Sequence, residues 1–269
     1  MTGLLRSIAI VAALIFLAGT AGAQGAKPLK KCPLDSVVSG TVCMDKYEAS
    51  VWRVPDPLGA NKGLAIKIQG GKATAADLSG GGATQLGVAS DDYAPCADAG
   101  QNCTNDIYAV SLPNVTPSTR LTWFQAQQAC KNTRKRLPTN AEWQAAVAGT
   151  PDPGPDNGTT DCNSVSVSLV ATGSRSACAS SDGVYDMVGN AFEMVADWVP
   201  KSTSCGAWSA GVSPTADDQC LAGVAGSGEP GALLRGGAAS YGTDAGPLTI
   251  YGNFEPSGSS NIIGFRCAR

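Results

Sequence analysis

The chain closes with Arg235-Gly236-Gly237 and, further on, with Gly264-Phe265-Arg266-Cys267-Ala268-Arg269. The glycines permit tight turns or close backbone packing, and an aromatic residue and a cysteine are typical of fixed structural positions. The stretch between the two motifs, residues 238–263, contains no Lys, Arg, His, Cys, Met, Trp or Gln. A frame of structural residues around a segment poor in reactive side chains indicates a surface that displays groups rather than one that catalyses a reaction.

Residues 1–23 are typical of a signal peptide. Arg6 precedes an apolar run over residues 8–17, and Ala21-Gly22-Ala23 fits an A-x-A cleavage site. This run is about half of the roughly twenty apolar residues that a membrane-spanning helix needs, which disfavours an anchor. We therefore expect cleavage of the signal and export to the periplasm, the cell surface or the extracellular space, with no membrane span.

The composition narrows the functional classes. A net charge of −3 gives no indication of a nucleic-acid partner. The 33 glycines and 16 prolines favour a loop-rich fold. The chain has no histidine, which excludes Ser–His, Cys–His and His–metal chemistry.

An even set of 10 cysteines in an exported chain predicts disulfides rather than metal ligands. Nearest-neighbour spacing favours four local bridges, which leaves Cys130 and Cys267 to close a long loop. Spacing alone leaves other connectivities open. The four local pairs are Cys32–Cys43, Cys96–Cys103, Cys162–Cys178 and Cys205–Cys220.

Two capping boxes mark the clearest helices. Thr122-x-x-Gln125 predicts a helix to about Lys131, and Thr139-x-x-Glu142 predicts a second that stops at Gly149. We expect an exposed lead-in over residues 24–40, then one domain over residues 41–269 with an insertion at about 51–116. The insertion shows no helical period. Strands are predicted at residues 42–50, 65–68, 107–110, 165–172, 232–235 and 262–268, and after a turn at Gly189-Asn190.

Six motifs, taken together, resemble the formylglycine-generating-enzyme/sulfatase-modifying-factor family. The resemblance implies an α+β fold of the C-type-lectin-like kind, loop-rich and disulfide-stapled, and a bridge between Cys130 and Cys267. The motifs are Met44-Asp45-Lys46-Tyr47-Glu48, Leu121-Thr122-Trp123 with Ala129-Cys130, Arg136-Leu137-Pro138-Thr139 with Glu142-Trp143, Tyr185-Asp186-Met187-Val188-Gly189-Asn190 with Glu193 and Asp197-Trp198, Leu234-Arg235-Gly236-Gly237, and Gly264-Phe265-Arg266-Cys267-Ala268.

The resemblance also implies where an oxidase site would lie. Enzymes of the family oxidise a substrate cysteine with O2 at a copper-binding cysteine pair between the last two motifs, since soft thiolates select Cu(I). Residues 238–263 contain no cysteine, so this copper-binding pair is absent. A related branch of the family uses a histidine-rich iron site, which a chain without histidine cannot form. We therefore expect no catalytic residue and no required cofactor.

Residues 238–263 are similar to the corresponding segment of another group with this fold, the variable proteins of diversity-generating retroelements. There, replacement of adenines in Asn codons yields a restricted set of residues. Residues 238–244, 250–254 and 257–263 all belong to that set, whereas Glu255 does not. A Gly-, Ala- and Ser-rich loop also arrives at this composition by chance, so a fixed binding surface remains open.

Either interpretation predicts a binding surface for a protein or glycan ligand. Tyr and Phe offer large contact areas with few rotatable bonds, and Ser, Asn and Gly offer adaptable hydrogen bonds. The candidate contact residues are Ser240, Tyr241, Thr243, Asp244, Tyr251, Asn253 and Phe254.

The resemblance further implies a candidate structural Ca2+ site. Its ligands would be Asn190 and Glu193 with the backbone carbonyls of Val188 and Gly189, since Ca2+ prefers oxygen. The alternative is that Asn190 caps the turn and Glu193 pairs with an arginine. Five further acids are expected to hydrogen-bond loops and helix ends, with Arg235 and Arg266 as their partners: Asp45, Glu48, Glu142, Asp186 and Asp197.

Two other functions stay open at this level. An enzyme of unknown chemistry on the same fold would need a carboxylate or metal pocket. A structural envelope component would use the insertion at residues 51–116 as its interface.

Overall fold

The computed structural model describes residues 31–103, 106–152, 156–205 and 216–269. The predicted signal peptide and the beginning of the lead-in lie outside the described residues. Among the helices of the described ranges, none is long and apolar enough to cross a membrane.

Short strands, few helices and ordered loops make up the chain, as the predicted α+β class requires. The helices are α1 Lys62–Gln69, α2 Ala75–Gly80, α3 Trp123–Asn132 and α4 Asn140–Ala146, with a 3-10 helix at Gly242–Asp244. The strands are β1 Ser36–Ser39, β2 Val42–Asp45, β3 Ala49–Arg53, β4 Thr84–Leu86, β5 Ile107–Ser111, β6 Phe192–Val199, β7 Gln219–Cys220, β8 Gly231–Arg235, β9 Ile250–Phe254 and β10 Ile263–Phe265.

A five-stranded sheet in the order β10-β6-β8-β9-β7 carries both closing motifs. β6 pairs antiparallel with β8 and parallel with β10, so the last strand returns beside the longest one. Alternate residues of this sheet enter different cores: Met194 and Leu234 face one, and Val195 and Leu233 face the other. Since both faces are covered at the centre of the sheet, β6 and β8 carry buried apolar residues on both sides.

A second sheet, β4-β3-β5, shares the first of these cores. Val51 and Ala109 point into it, whereas Trp52 and Tyr108 point to the opposite side. Helices α1 and α2 cover that opposite side. The sheet is therefore a middle layer between the main core and the two helices.

The Arg-Gly-Gly motif uses its glycines as the sequence predicts. Gly236 and Gly237 both have positive φ, 86° and 83°. A Cβ on Gly236 would lie 2.6 Å from the carbonyl oxygen of Met187, and one on Gly237 would lie 2.5 Å from Ala245. These positions need both the backbone freedom and the small volume of glycine.

Both capping boxes are confirmed. The Thr122 hydroxyl accepts from the backbone N–H of Gln125, and the Gln125 side chain accepts from the backbone N–H of Thr122. Thr139 and Glu142 repeat the arrangement at α4. The strands predicted at residues 107–110, 232–235 and after the Gly189-Asn190 turn are also present, as β5, β8 and β6.

All five disulfides follow the predicted pairing, including the long-range bridge between Cys130 of α3 and Cys267 after β10. That bridge spans a sequence separation of 137 residues. It ties the middle of the chain to its end within the core shared by the two sheets.

Five local predictions are wrong. Residues 65–68 lie in helix α1, because Leu64, Ala65 and Ile68 share one buried helical face that four residues of alternation cannot reveal. The insertion therefore contains helices. The strand at residues 42–50 is two strands, β2 and β3, broken after Asp45. Residues 36–39 of the exposed lead-in form β1, with Ser36 and Ser39 buried, and residues 165–172 form no strand.

Candidate functional site

A cavity of about 230 Å³ opens over one face of the five-stranded sheet, and we call it the aromatic pocket. Its walls are supplied by strands β6, β8, β9 and β10, by the segment between β8 and β9, and by the loop between β9 and β10. Its lining residues are Phe192, Leu234, Tyr241, Tyr251, Asn253, Phe254, Ser260, Ile262 and Ile263.

Three aromatic rings fix the shape of this pocket. The ring of Phe192 lies 4.7 Å from that of Tyr241 and 5.0 Å from that of Tyr251, at interplanar angles of 87° and 64°. The two tyrosine rings are 6.0 Å apart, also edge to face. Edge-to-face contacts are the favoured geometry for aromatic pairs, so the rings hold one another in place. Phe192 is buried, which anchors the cluster to the core.

The two tyrosines present neutral hydroxyls. Tyr251 donates its hydroxyl hydrogen to Asp218, and burial raises the pKa of Tyr251 well above its usual value. Burial likewise raises the pKa of Tyr241, with Asp218 and Asp244 adding to the effect. Both phenols therefore stay protonated at physiological pH and serve as hydrogen-bonding groups with apolar bodies.

Four of the seven candidate contact residues meet in the aromatic pocket: Tyr241, Tyr251, Asn253 and Phe254. The remaining three lie elsewhere on the segment. Ser240 lines a neighbouring cavity, and Thr243 and Asp244 lie on the exposed 3-10 helix, outside the lining of both cavities.

That neighbouring cavity has a volume of about 270 Å³, and we call it the polar pocket. Ile262 lines both pockets, so they adjoin. The lining residues of the polar pocket are Val88, Thr116, Arg120, Val167, Ser168, Leu169, Ala239, Ser240, Asn261 and Ile262.

Sequence reasoning missed several lining residues of both pockets. Phe192 belongs to a different motif, and its signal was the aromatic anchor that follows the Gly189-Asn190 turn. Ile262 lies at the start of the predicted closing strand, where an apolar residue indicates core. Arg120 and residues 167–169 carried no signal, because they reach the polar pocket from distant loops.

The arrangement of Asn190 and Glu193 does not fit a cation. The Asn190 Oδ1 already accepts from the backbone N–H of Val170 at 2.9 Å and from Asn163 Nδ2 at 3.0 Å. The Glu193 Oε2 accepts from Trp143 Nε1 and Arg266 Nε, both at 2.7 Å, and its Oε1 accepts from Arg266 Nη2. The arginine pairing given as the alternative is the one present.

A buried acidic cluster surrounds this pair. Glu48 accepts from Asn190 Nδ2 and from the backbone N–H of Ala191, and Asp186 accepts from the backbone N–H of Gly173. Burial raises the pKa of Asp186 to about 6 and that of Glu48 well above its usual value, with neighbouring acids adding to the effect at Glu48. Arg266 is the cation at its centre.

The other predicted structural acids have defined partners. Asp45 pairs with Lys135, Glu142 pairs with Arg136, and Asp197 accepts from the backbone N–H of Asn140. Of the two arginines predicted to be partners of these acids, Arg266 forms its ion pair with Glu193 and also attracts the Glu48 and Asp186 carboxyl groups electrostatically. Arg235 stacks on the Trp143 ring at 4.6 Å and donates to Gln144.

The cysteines of this chain offer no thiolate pair to copper. All 10 cysteines of the sequence lie in the five disulfides, and none is free. Within the described ranges, one cluster has the composition of a metal site, Cys205, Asp218 and Cys220, and its two cysteines are bonded to each other. The two pockets offer shape, hydroxyl groups, one guanidinium and aromatic surface.

The family model of the sulfatase-modifying factor enzyme 1-like domain matches residues 88–269. No curated protein sequence matches the chain.

Several solved structures are similar. The Major Tropism Determinant M1 variant is 17% identical with a TM-score of 0.45, covering 90% of this chain and 53% of its own. PvdO from Pseudomonas aeruginosa is 17% identical with a TM-score of 0.43, covering 87% of this chain and 82% of its own. Treponema denticola variable protein 1 is 16% identical with a TM-score of 0.39, and the match covers 57% of this chain and 70% of the other. The chain spans about half the length of the Major Tropism Determinant variants that it matches.

Proposed function

Because the chain belongs to the sulfatase-modifying factor enzyme 1-like family and has its C-type-lectin-like α+β fold, we propose that it is a non-catalytic, exported member of that family. It binds a protein or glycan ligand through residues 238–263. No bound metal or redox cofactor is needed for that role.

The observation that carries this proposal is the aromatic pocket. Tyr241, Tyr251, Asn253 and Phe254 come from a loop and a strand, and the fold gathers them around one open cavity. The buried Phe192 contacts both tyrosine rings edge to face and so holds them in place. A rigid aromatic wall beside polar side chains suits recognition, because rings that are already held in place lose little conformational entropy on binding.

The disulfides support the non-catalytic part. A thiolate pair is the ligand set for copper oxidation of a substrate cysteine, and each cysteine here is already bonded to another. Five disulfides also fit an oxidising compartment, in agreement with export.

Binding can be tested on a glycan array and against the exported proteins of the source organism. The double variant Tyr251→Ala/Phe254→Ala should lose binding to whichever ligands the unmodified protein retains. Leu58→Ala is the control, since Leu58 is 72% exposed and lies on the distant α1 side. Retained binding by the double variant would contradict the proposal.

Diversification of the segment is a further part of the proposal. Deep sequencing of codons 238–263 from the source population should show substitutions confined to former adenine positions, with codons 235–237 and 264–269 unchanged. Since β8 and β10 flank the segment in sequence and both pair with β6 in the sheet, we expect the frame to tolerate little change and the loops on either side of β9 to vary. One invariant sequence would instead indicate a dedicated receptor or adhesin with a single ligand.

A further inference from the structure

The polar pocket contains a cation without a partner. Arg120 is the one charged residue in its lining, which includes no Asp or Glu. Across the described ranges, Arg120 forms no ion pair, and its side chain makes no hydrogen bond to protein. Its Nε atom is buried and unsatisfied. A buried donor on a charged group is costly when it is left unpaired, so a ligand that supplies an acceptor to this atom would gain binding free energy.

Two features define the backbone conformation at Arg120. Its φ is 61°, in the left-handed region that non-glycine residues seldom adopt, and its N–H donates to the carbonyl oxygen of Ser260 at 2.8 Å. Ser260 lines the aromatic pocket, so this hydrogen bond links the base of the arginine directly to the proposed binding surface.

The remaining polar side chains around Arg120 are also available. Those of Thr116, Ser168, Ser240 and Asn261 make no hydrogen bond to the part of the chain that the structure describes, although all four line the pocket. Hydroxyl and amide groups both donate and accept, as the hydroxyl groups of a sugar do.

The charge and shape of the site favour a carboxylate. A guanidinium offers planar paired donors that match a carboxylate or a phosphate. One arginine surrounded by neutral groups balances one negative charge, which fits a carboxylate better than a phosphate dianion. The aromatic pocket on the other side of Ile262 supplies rings on which the apolar face of a sugar can pack.

We propose that the polar pocket binds the carboxylate of an acidic sugar, with Arg120 as its ion-pair partner and the aromatic pocket holding the adjoining sugar ring. This inference rests on the proposed binding function and names the class of ligand for the same surface.

The test uses titration calorimetry with digalacturonate, its methyl ester and sialyl-lactose. The methyl ester keeps the sugar rings and removes the charge. An acetylated, amidated Glu-Glu dipeptide tests for a carboxylate that comes from protein. The proteins are the unmodified chain, Arg120→Gln, Arg120→Lys and Arg134→Gln. Arg134 is the matched control, because it is also at positive φ, 60°, but is exposed and outside both pockets.

We expect at least one acidic sugar to bind the unmodified chain and Arg134→Gln about tenfold or more tightly than Arg120→Gln, as loss of a charged hydrogen bond requires. Arg120→Lys should recover part of the affinity. If neither acidic sugar binds, if the ester binds as well as the acid, or if Arg120→Gln binds normally, the inference is overturned. Tighter binding of the dipeptide than of both sugars overturns it as well.

Failure of this inference is distinguishable from failure of the proposed function. Ester binding that is as tight as acid binding and is lost in Tyr251→Ala/Phe254→Ala would reject the acidic sugar and retain the binding surface. Acidic-sugar binding that depends on Arg120 but not on Tyr251 and Phe254 would retain the carboxylate site and reject the aromatic pocket as its neighbouring subsite.

Discussion

Arg266 and Glu193 form an ion pair that is closed to solvent. The Arg266 Nη2 lies 2.5 Å from Glu193 Oε1, and Nε lies 2.7 Å from Oε2, with both side chains at most 1% exposed. The pair connects the closing Gly-Phe-Arg motif to strand β6. Arg266 also donates to the backbone oxygens of Asp45 and Tyr185, so one side chain joins three distant segments.

Arg266→Met should destabilise the protein by about 3–5 kcal/mol, because it leaves the Glu193 carboxylate buried without its cation. Urea unfolding followed by fluorescence measures this change. Arg136→Met is the control: Arg136 pairs with Glu142 but its side chain is 42% exposed, so the expected loss is about 1 kcal/mol or less. Equal losses in the two variants would contradict a special role for the buried pair.

Replacement of both Cys130 and Cys267 with Ala should cost about 5 kcal/mol of unfolding free energy in the loop-entropy account, since the bridge closes a separation of 137 residues. Removal of the Cys96–Cys103 bridge, with a separation of 7, should cost about 2 kcal/mol by the same relation. Denaturant midpoints of the two double variants provide the comparison. A larger loss for the short bridge would reject the loop-closure explanation.

Stability should fall as the pH rises from about 4 to about 7. Burial raises the pKa of Asp186 from 3.8 to about 6, so the folded state binds this proton more tightly than the unfolded state does. The stabilisation from this proton is complete below the pKa that Asp186 has in the unfolded protein. It is lost as the pH rises through the pKa that Asp186 has in the folded protein. Burial also raises the pKa of Asp45 to about 6, so Asp45 contributes to the same loss of stability over this pH range.

Asp186→Asn should therefore flatten this pH dependence without removing it, and Asn tolerates the positive φ of 60° at that position. Melting temperatures across the window measure the effect. Asp182→Asn, which changes an exposed carboxyl group, should leave the profile as it was. An unchanged profile in Asp186→Asn would show that other groups cause the dependence.

Millimolar Ca2+ should leave the melting temperature unchanged, and so should a chelator. The oxygen atoms of Asn190 and Glu193 are already committed to protein donors, so a cation would have to displace Arg266. A ligand that binds the folded state raises its stability, which makes the melting temperature a direct readout. If Ca2+ raised the melting temperature of the unmodified protein but not that of Asn190→Ala, this prediction would be contradicted and a calcium site at Asn190 would be supported.

The sequence predicted those features that depend on local or pairwise signals. Capping boxes act over three residues, which is why the starts of α3 and α4 were predicted correctly. The short α1 was missed because four alternating residues fit a strand as well as a helix. The break between β2 and β3 was missed for a related reason, since a run that is buried throughout loses its alternation.

By itself, the sequence indicated the fold class, the disulfide pairing and a segment that supplies four lining residues of the aromatic pocket. The fold class and the Cys130–Cys267 bridge follow from the resemblance of the motifs to the family, and the four local bridges follow from nearest-neighbour cysteine spacing. Only the tertiary structure decided which candidates meet: Tyr241 and Tyr251 share a pocket with Phe192, while Thr243 and Asp244 do not line it. It also placed Arg120 beside Ser240, because pockets form where distant loops pack together, and no local pattern encodes that contact.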